Sequence, residues 1–467
     1  MFIKKHTTQT VYKNNTKIFK ELRKTYKYFI YEDFEIRETD NSLVLRYHFN
    51  LDDKYKFYPE LKILKKLFFN HIFQIRDLEL FVFHIGMIEM VSYWKAACPP
   101  QIMINPGYLS NDQVNWWKKL YFFGLGEFFY TNGIEITQND FVDIQIESDK
   151  RFKPAGIVTN PRKVIVPVGG GKDSVVSLEL LKNDYEVIPF IVNPRNASIN
   201  SVKQAGFAEE QVFEVERNIH PQLLKLNDMG FLNGHTPFSA LLAFVSVFGA
   251  AITGSGHIAL SNESSANEPT TQSGVNHQYS KSYGFEKDFR DYLYKNITKD
   301  INYFSFLRPL SEYTIAELFS GFASHFDSFR SCNAASKTNS WCGKCPKCLF
   351  TYIILSPFLD SGTLDRIFGK NLLDDGSLLV IFNELTGISE EKPFECVGTV
   401  DEINLALLKT IEKYEGTLPK LLQYYKSTPL MSKYSSTVYN KAEEMKSENH
   451  FLEPDFYQLL KNRVHAG

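Results

Sequence analysis

Residues 164–174 read Val-Ile-Val-Pro-Val-Gly-Gly-Gly-Lys-Asp-Ser. A β-branched run feeds three glycines, Gly169, Gly170 and Gly171, and Lys172, Asp173 and Ser174 then open a helix. Strand, glycine loop and helix N-terminus in that order build an anion site. Glycine lets the backbone take positive φ and approach a ligand closely. The first helical turn offers unpaired N–H groups at the positive end of the helix dipole, and phosphate is the natural guest. The spacing is not that of the G-x-x-x-x-G-K-[ST] loop, which has four residues between its first glycine and Gly-Lys-Ser/Thr. An ordinary glycine-rich βα turn is the plain alternative, so the surrounding pattern has to decide.

That pattern alternates. Lys163–Val168, Glu186–Asn193, Gln211–Glu216 and His257–Ser261 read as strands. Asp173–Lys182, Asn196–Ala205 and Thr236–Thr253 read as helices between them. The alternation predicts an α/β fold with a doubly wound, mostly parallel sheet. Ligands of such sheets sit at the carboxyl ends of the strands, where the glycine loop and Ser261 onward both fall. Residues 1–155 form an aromatic-rich N-terminal α+β region with β-like stretches at Ser42–Phe49 and Gly133–Ile146, and are a candidate for substrate recognition. Pro154–Pro161 reads as a hinge or linker. The nucleotide-binding domain is expected over 156–360, and a small mixed, helical C-terminal region over 361–467, with amphipathic helices near 401–414 and 437–447.

Composition narrows the class. The chain has 467 residues, enough for two or three domains of about 150 each. The net charge of −2 exerts no general pull on nucleic acid or anionic membrane. The first fifteen residues are polar and basic, without the apolar core of a signal peptide. Thr236–Gly256 carries no charge. Its small polar residues and missing basic flanks predict a helix buried against a sheet rather than a membrane span. Four of the six cysteines, Cys332, Cys342, Cys345 and Cys348, are separated by nine, two and two residues. Two C-x-x-C steps plus a fourth Cys suit tetrahedral Zn²⁺ in a reducing compartment, with Gly343 allowing the tight knuckle. Reduced structural cysteines, a redox pair or an iron–sulfur cluster are the other readings.

Two polar segments follow the strands. Ser261–Glu268 (SNESSANE) is too polar for core. Glu263 or Glu268 can hold Mg²⁺, since hard cations take oxygen ligands, and Asn262, Ser264 and Asn267 can read a polar substrate. Asn276–Ser282 (NHQYSKS) supplies His277, Tyr279 and Lys281 as acid/base or substrate-positioning groups. Arg308-Pro309-Leu310 precedes a helix with an expected Thr314/Glu317 capping box. Arg308 joins the substrate- or Mg²⁺-binding candidates.

The glycine loop resembles the SGGxDS loop of the ATP pyrophosphatases, which hold pyrophosphate while AMP is transferred. Gly169 stands where that family has a Ser. The strand, Pro-Leu and helix at 308–317 recur in those enzymes. The cyano-deazaguanine synthases share both the loop and a similar four-cysteine knuckle. A closer resemblance covers residues 120–400. GGGKDS, NGHTPFSA, SNESSANE, NHQYSKS, FLRPLSE, RSCN, WCGKCPKC and FECVGT, together with Phe123–Glu127, are similar in order to the MurL epimerases. The resemblance implies a cytoplasmic isomerase of peptidoglycan precursor synthesis, and so of cell-wall biogenesis, cell shape and division. It would invert the terminal L-Glu of UDP-MurNAc-L-Ala-L-Glu with ATP and Mg²⁺, releasing AMP and pyrophosphate. The partner is then a small molecule, with no nucleic acid and no membrane insertion. Asp173 becomes catalytic within the nucleotide loop, alongside His277, Tyr279 and Lys281. An ATP-dependent ligase or amidotransferase of the cyano-deazaguanine synthase type is the competing reading.

Overall fold

A computed structural model of the chain describes residues 13–67, 75–268, 274–335, 338–390, 392–435, 444–445 and 448–466. Among these residues, eleven strands form one mixed sheet. They are β1 (Tyr28–Glu38), β2 (Ser42–Leu51), β3 (Tyr55–Phe57), β4 (Glu60–Leu64), β5 (Gln101–Ile104), β6 (Asp143–Ile146), β7 (Asn160–Pro167), β8 (Glu186–Val192), β9 (Phe213–Asn218), β10 (Ser255–Leu260) and β11 (Asn302–Ser305). The order is β11-β10-β7-β8-β9-β4-β2-β1-β5-β6, with β3 pairing to β2.

The five strands from β11 to β9 are all parallel. The chain leaves β7 toward β8 and β9, then returns to β10 and β11 on the other side of β7. The order of winding therefore reverses at β7, whose carboxyl end carries the glycine loop. This is the switch point at which open α/β sheets bind ligands.

The sheet does not stop at residue 155. β4 pairs antiparallel with β9, and Leu61 faces Arg217 in register. The N-terminal strands thus extend the same sheet. A buried ion pair reinforces the join: Arg217 Nε donates to Glu89 Oε2 at 2.7 Å from β9 to the helix Ile75–Trp94.

Side chains alternate across the strands, so the sheet has two cores. Ile165, Ile188, Phe190 and Phe213 pack into one, with the N-terminal aromatics and the helix Phe238–Thr253. Val164, Val166, Val187 and Ile191 pack into the other, with the C-terminal helices. The region after 360 is a cover for that second face. Phe456, on the last helix Pro454–Ala466, stacks on Tyr185 at 4.3 Å and lies 4.7 Å from Phe304. The uncharged segment is the buried helix expected, and no described helix is long and apolar enough to cross a membrane.

Several local expectations shift. Of Gly133–Ile146 only β6 is strand, because Gly133 (φ 65°) terminates the helix Gly126–Asn132. Pro154–Pro161 is pinned rather than hinge-like: Ala155 N donates to Ile297 O and Ile157 N to Asp300 Oδ2, each at 2.7 Å. Ser311, not Thr314, caps the helix Glu312–Ser320. The helix expected near 401–414 is Val400–Lys413. The one near 437–447 falls almost wholly outside the described residues.

Candidate functional site

The glycine loop is shaped by what passes behind it. Gly170 has φ +87°, and a Cβ there would sit 2.7 Å from backbone atoms of Ala197 and Ser198. The helix Asn196–Gln204 therefore begins against the loop, and only glycine fits. Arg330 N donates to Gly170 O at 2.8 Å, fixing the loop from the other side. Gly169 faces open space, with nothing within 4 Å of an added Cβ. Gly171 is the N-cap of the helix Lys172–Leu181, with no side chain capping it. Its first-turn N–H groups are thus left for a ligand. Ser174 Oγ donates to Gly171 O at 3.0 Å. A small cavity of about 210 Å³ opens here between Gly169, Gly171, Arg195, Arg330, Ser331 and Lys347.

Three carboxylates converge beside the loop. Oxygens of Asp173, Glu263 and Glu312 lie within 4.8 Å of one another. Burial works against the charge of Glu312, and the cation of Lys172 opposes that. Lys172 reaches into the group and ion-pairs with both Asp173 and Glu312. Burial disfavours its charge, but the two carboxylates outweigh that and keep it protonated. Glu312 closes the FLRPLSE motif but was not among the expected site residues. It stands one residue past an N-cap and looks like ordinary helix-dipole chemistry.

The remaining candidates separate into wall and cavity. Arg308, 2% exposed, is wall. It donates to Glu263 O at 2.7 Å and Glu286 Oε2 at 2.9 Å and also to Lys281 O, tying the two polar segments together. Asn262 donates to Ser305 Oγ at 3.0 Å, Ser264 N to Leu310 O, and Asn267 bridges Ser264 O and Tyr283 N. Glu268 lies outside the carboxylate group and pairs with Lys392 on the surface. Tyr279 packs 5.2 Å from Phe123 and lines a groove of about 960 Å³ with Phe122, Phe123, Tyr130, Ile134 and Asn276. Burial pushes His277 down to about 3, so its ring is neutral at pH 7. Lys281 Nζ donates to Cys396 Sγ at 3.2 Å. Cys396 and Glu127, which face this region, were not singled out by sequence.

The four clustered cysteines do come together. Their sulfurs lie within 4.8 Å of one another, with pairs at 3.4, 3.7 and 3.8 Å. A tetrahedral ion with bonds of ~2.3 Å sets its ligands about 3.8 Å apart, so the donor set fits one Zn²⁺. Gly343 takes φ +62°, and Lys344 N donates to Cys342 Sγ.

Comparison with known families accounts for most of the chain. The MurL N-terminal domain matches residues 20–306 and the MurL C-terminal domain matches residues 328–434. The chain belongs to the MurL family. Similar proteins named UDP-N-acetyl-alpha-D-muramoyl-L-alanyl-L-glutamate epimerase occur in Salinispora tropica (37% identical, 69% of this chain and 71% of the relative) and Xanthomonas oryzae (33%, 69% and 72%). A third, in Micromonospora, is 35% identical over 69% of this chain and 73% of its own length. No solved structure matches the chain.

The two MurL domains meet at the site. Asp173 and Glu263 lie in the N-terminal match, the cysteine knuckle and Cys396 in the C-terminal one, and Glu312 in the interval between them. The buried carboxyl of Glu402 in the C-terminal match accepts from Glu312 N at 2.8 Å and from Thr399 N at 2.6 Å. It thereby clips the FECVGT loop to the carboxylate group.

Proposed function

We propose that this chain is an ATP-dependent epimerase. It inverts the terminal L-glutamate of UDP-MurNAc-L-Ala-L-Glu through a carboxyl adenylate and releases AMP and pyrophosphate, in cytoplasmic peptidoglycan precursor synthesis. The core is read as an ATP-pyrophosphatase type of α/β sheet. The observation that carries the reading is a glycine loop at the switch point of a parallel sheet, facing three carboxylates, in a chain whose relatives bear the epimerase name.

The chemistry needs activation. A free carboxylate makes its neighbouring α-proton nearly unremovable, because the carbanion would form beside an anion. Adenylation removes that charge. Gly169–Gly171 and the first turn of Lys172–Leu181 would hold the phosphates of ATP, with Ser174 beside them. Asp173, Glu263 and Glu312 would hold Mg²⁺, which supplies positive charge to the triphosphate. Lys172 stabilises the departing pyrophosphate. The groove along Phe123 and Tyr279 takes the nucleotide-sugar part of the substrate, its aromatic walls suiting flat and sugar rings. The four cysteines would hold a structural Zn²⁺, linking Cys332 and Cys342 to the start of the helix Pro346–Leu355.

Incubation with ATP and the muramoyl dipeptide, followed by chiral analysis of the glutamate, tests the reading. AMP together with D-Glu is the expected outcome. AMP with a new C–N bond in the presence of ammonia would favour a ligase, and absence of AMP would overturn the proposal.

A further inference from the structure

The FECVGT loop is held more firmly than a connector requires. Lys392 Nζ donates to Gly398 O at 3.1 Å, and the Thr399/Glu402 capping box closes its far end. A Cβ on Gly398 would lie 2.8 Å from Glu402 Oε2 and 3.3 Å from Glu312 Cβ. Phe394 is packed between Tyr130 at 5.1 Å and His277 at 6.1 Å. The result is that half-buried Cys396 meets Lys281 Nζ at 3.2 Å.

A second acid–base pair reaches the same interior from a different element. Glu127 lies on the helix Gly126–Asn132, one turn before Tyr130 and so on the same face. Its Oε2 is 3.3 Å from His235 Nδ1. Gly126 and Tyr130, on either side of Glu127, line the large groove together with Tyr279.

We propose that Cys396 and Glu127 are the two groups that exchange the α-proton of the activated glutamyl residue, one on each face, with Lys281 and His235 as their positioning partners. The proposal rests on the epimerase reading above and names the residues of its central step. Cys396 Sγ, as thiolate, takes the α-proton. The electron pair of the C–H bond passes to Cα and the acyl carbonyl. The Glu127 carboxyl O–H then gives its proton to the opposite face as the new Cα–H bond forms. Nothing is oxidised, and both groups return to their starting forms by proton exchange with water.

The electrostatics agree with these roles. Burial works to raise the Cys396 thiol, but the charge of Lys281 and its neighbours outweighs it and holds the group below the ordinary value. Lys281 is stabilised as a cation, first by Cys396 and also by Glu263 and Asp173, so it holds a thiolate rather than acting as the base. Burial raises Glu127 to about 7, helped by Glu395 and Cys396. A carboxyl poised there is matched to proton transfer near neutral pH. Burial lowers His235 to about 4, leaving its ring neutral beside Glu127.

Deuterium wash-in tests the pair. Wild type, Cys396→Ser and Glu127→Gln are each incubated in D₂O with ATP and the L-substrate. AMP, Cα deuterium and the configuration of glutamate are measured. Cys396→Ser should release AMP within about threefold of wild type, as water hydrolyses the L-adenylate, while Cα exchange falls roughly 10²–10⁴-fold. Glu127→Gln should also release AMP but return L-glutamate carrying deuterium, because one face still exchanges and the other cannot donate. Inversion by either variant at near wild-type rate overturns the proposal while leaving the epimerase reading intact. Loss of AMP release in both variants assigns the pair to adenylation and also overturns it. A wild-type protein that releases AMP without inverting glutamate defeats the epimerase reading itself.

Discussion

Gly170 cannot carry a side chain without displacing the helix that follows β8. Gly170→Ala places a methyl 2.7 Å from two backbone atoms at φ +87°. The conformation alone costs about 1–2 kcal/mol, and the overlap adds to it. Gly170→Ala is expected to lower the denaturant midpoint and to stop AMP formation. Gly169→Ser meets open space, so equilibrium unfolding should leave it close to wild type. Asp173→Ala should fold normally and release no AMP, since it removes a carboxylate from the convergent group beside the loop; AMP at the wild-type rate would count against the whole site. The loop residues were legible because they are contiguous and their chemistry is local. Glu312, Cys396 and Glu127 were not. Each lies inside a quoted motif (FLRPLSE, FECVGT and Phe123–Glu127), but local sequence assigns it no chemistry, because its partners come from distant parts of the chain. Arg308 shows the converse. A cation beside polar motifs read as a ligand-binding group; in the structure its Nη atoms bond two backbone carbonyls, Glu286 and Ser305, while its buried Nε has no partner.

Elements were legible where periodicity and punctuation agreed. Four parallel strands, β7 to β10, and the three helices expected between them sit within two or three residues of expectation, because β-branched runs bounded by glycine and polar turns leave little choice; β11 and the helices Pro221–Asp228 and Tyr283–Asn296 carried no such signal. The stretch Gly133–Ile146 misled because its alternation resembles a strand, whereas Gly133 in fact stops a helix. The knuckle was visible from spacing alone, and its sulfurs do converge. If the four thiolates bind Zn²⁺, freshly prepared protein should carry about one zinc per chain. Cys345→Ser should then unfold the C-terminal half more easily, as structural zinc contributes ~10–16 kcal/mol of apparent binding energy in small peptides. Metal analysis and limited proteolysis check both expectations. Buried His84 adds an element-level pH effect. Its ring bridges Leu80 O at 2.7 Å and Tyr292 OH at 3.0 Å, joining the helices Ile75–Trp94 and Tyr283–Asn296. Burial lowers it from 6.5 to about 4. The unfolded chain therefore binds the proton first on acidification. Stability from this group is present above pH 6.5 and is lost as pH falls toward 4, by about 3 kcal/mol in total. Urea midpoints across pH 4–7 should show a shallower slope for His84→Gln than for wild type.

At the scale of the molecule, the continuous sheet joins the N-terminal region to the strands that carry the glycine loop. Pairing between distant strands such as β4 and β9 leaves no local signature, so a sequence pattern can show that both exist but not that they join. The join bears on the proposed mechanism: the groove is lined both by Phe123 and Tyr130 from the N-terminal end and by Asn276 and Tyr279, which follow β10 in the parallel half that carries the glycine loop. On the reading proposed above, substrate activation and proton transfer draw on different parts of one continuous sheet and its cover, and an order of events is predicted. If adenylation must precede proton removal, the α-proton of the L-substrate should not exchange with D₂O when ATP is absent. With ATP, the D-Glu product should carry deuterium at Cα. Asp173→Ala should give neither AMP nor exchange, because its proton-transfer groups never meet an activated substrate. One positioned base typically contributes ~10²–10⁴-fold, too little to pull a proton from beside a free carboxylate, so activation has to carry much of the barrier. Mass spectrometry of substrate recovered from ATP-free incubations decides the matter. Deuterium there would mean that the enzyme removes the proton without the activated ester, and the adenylate would have to be given up even if inversion itself were observed.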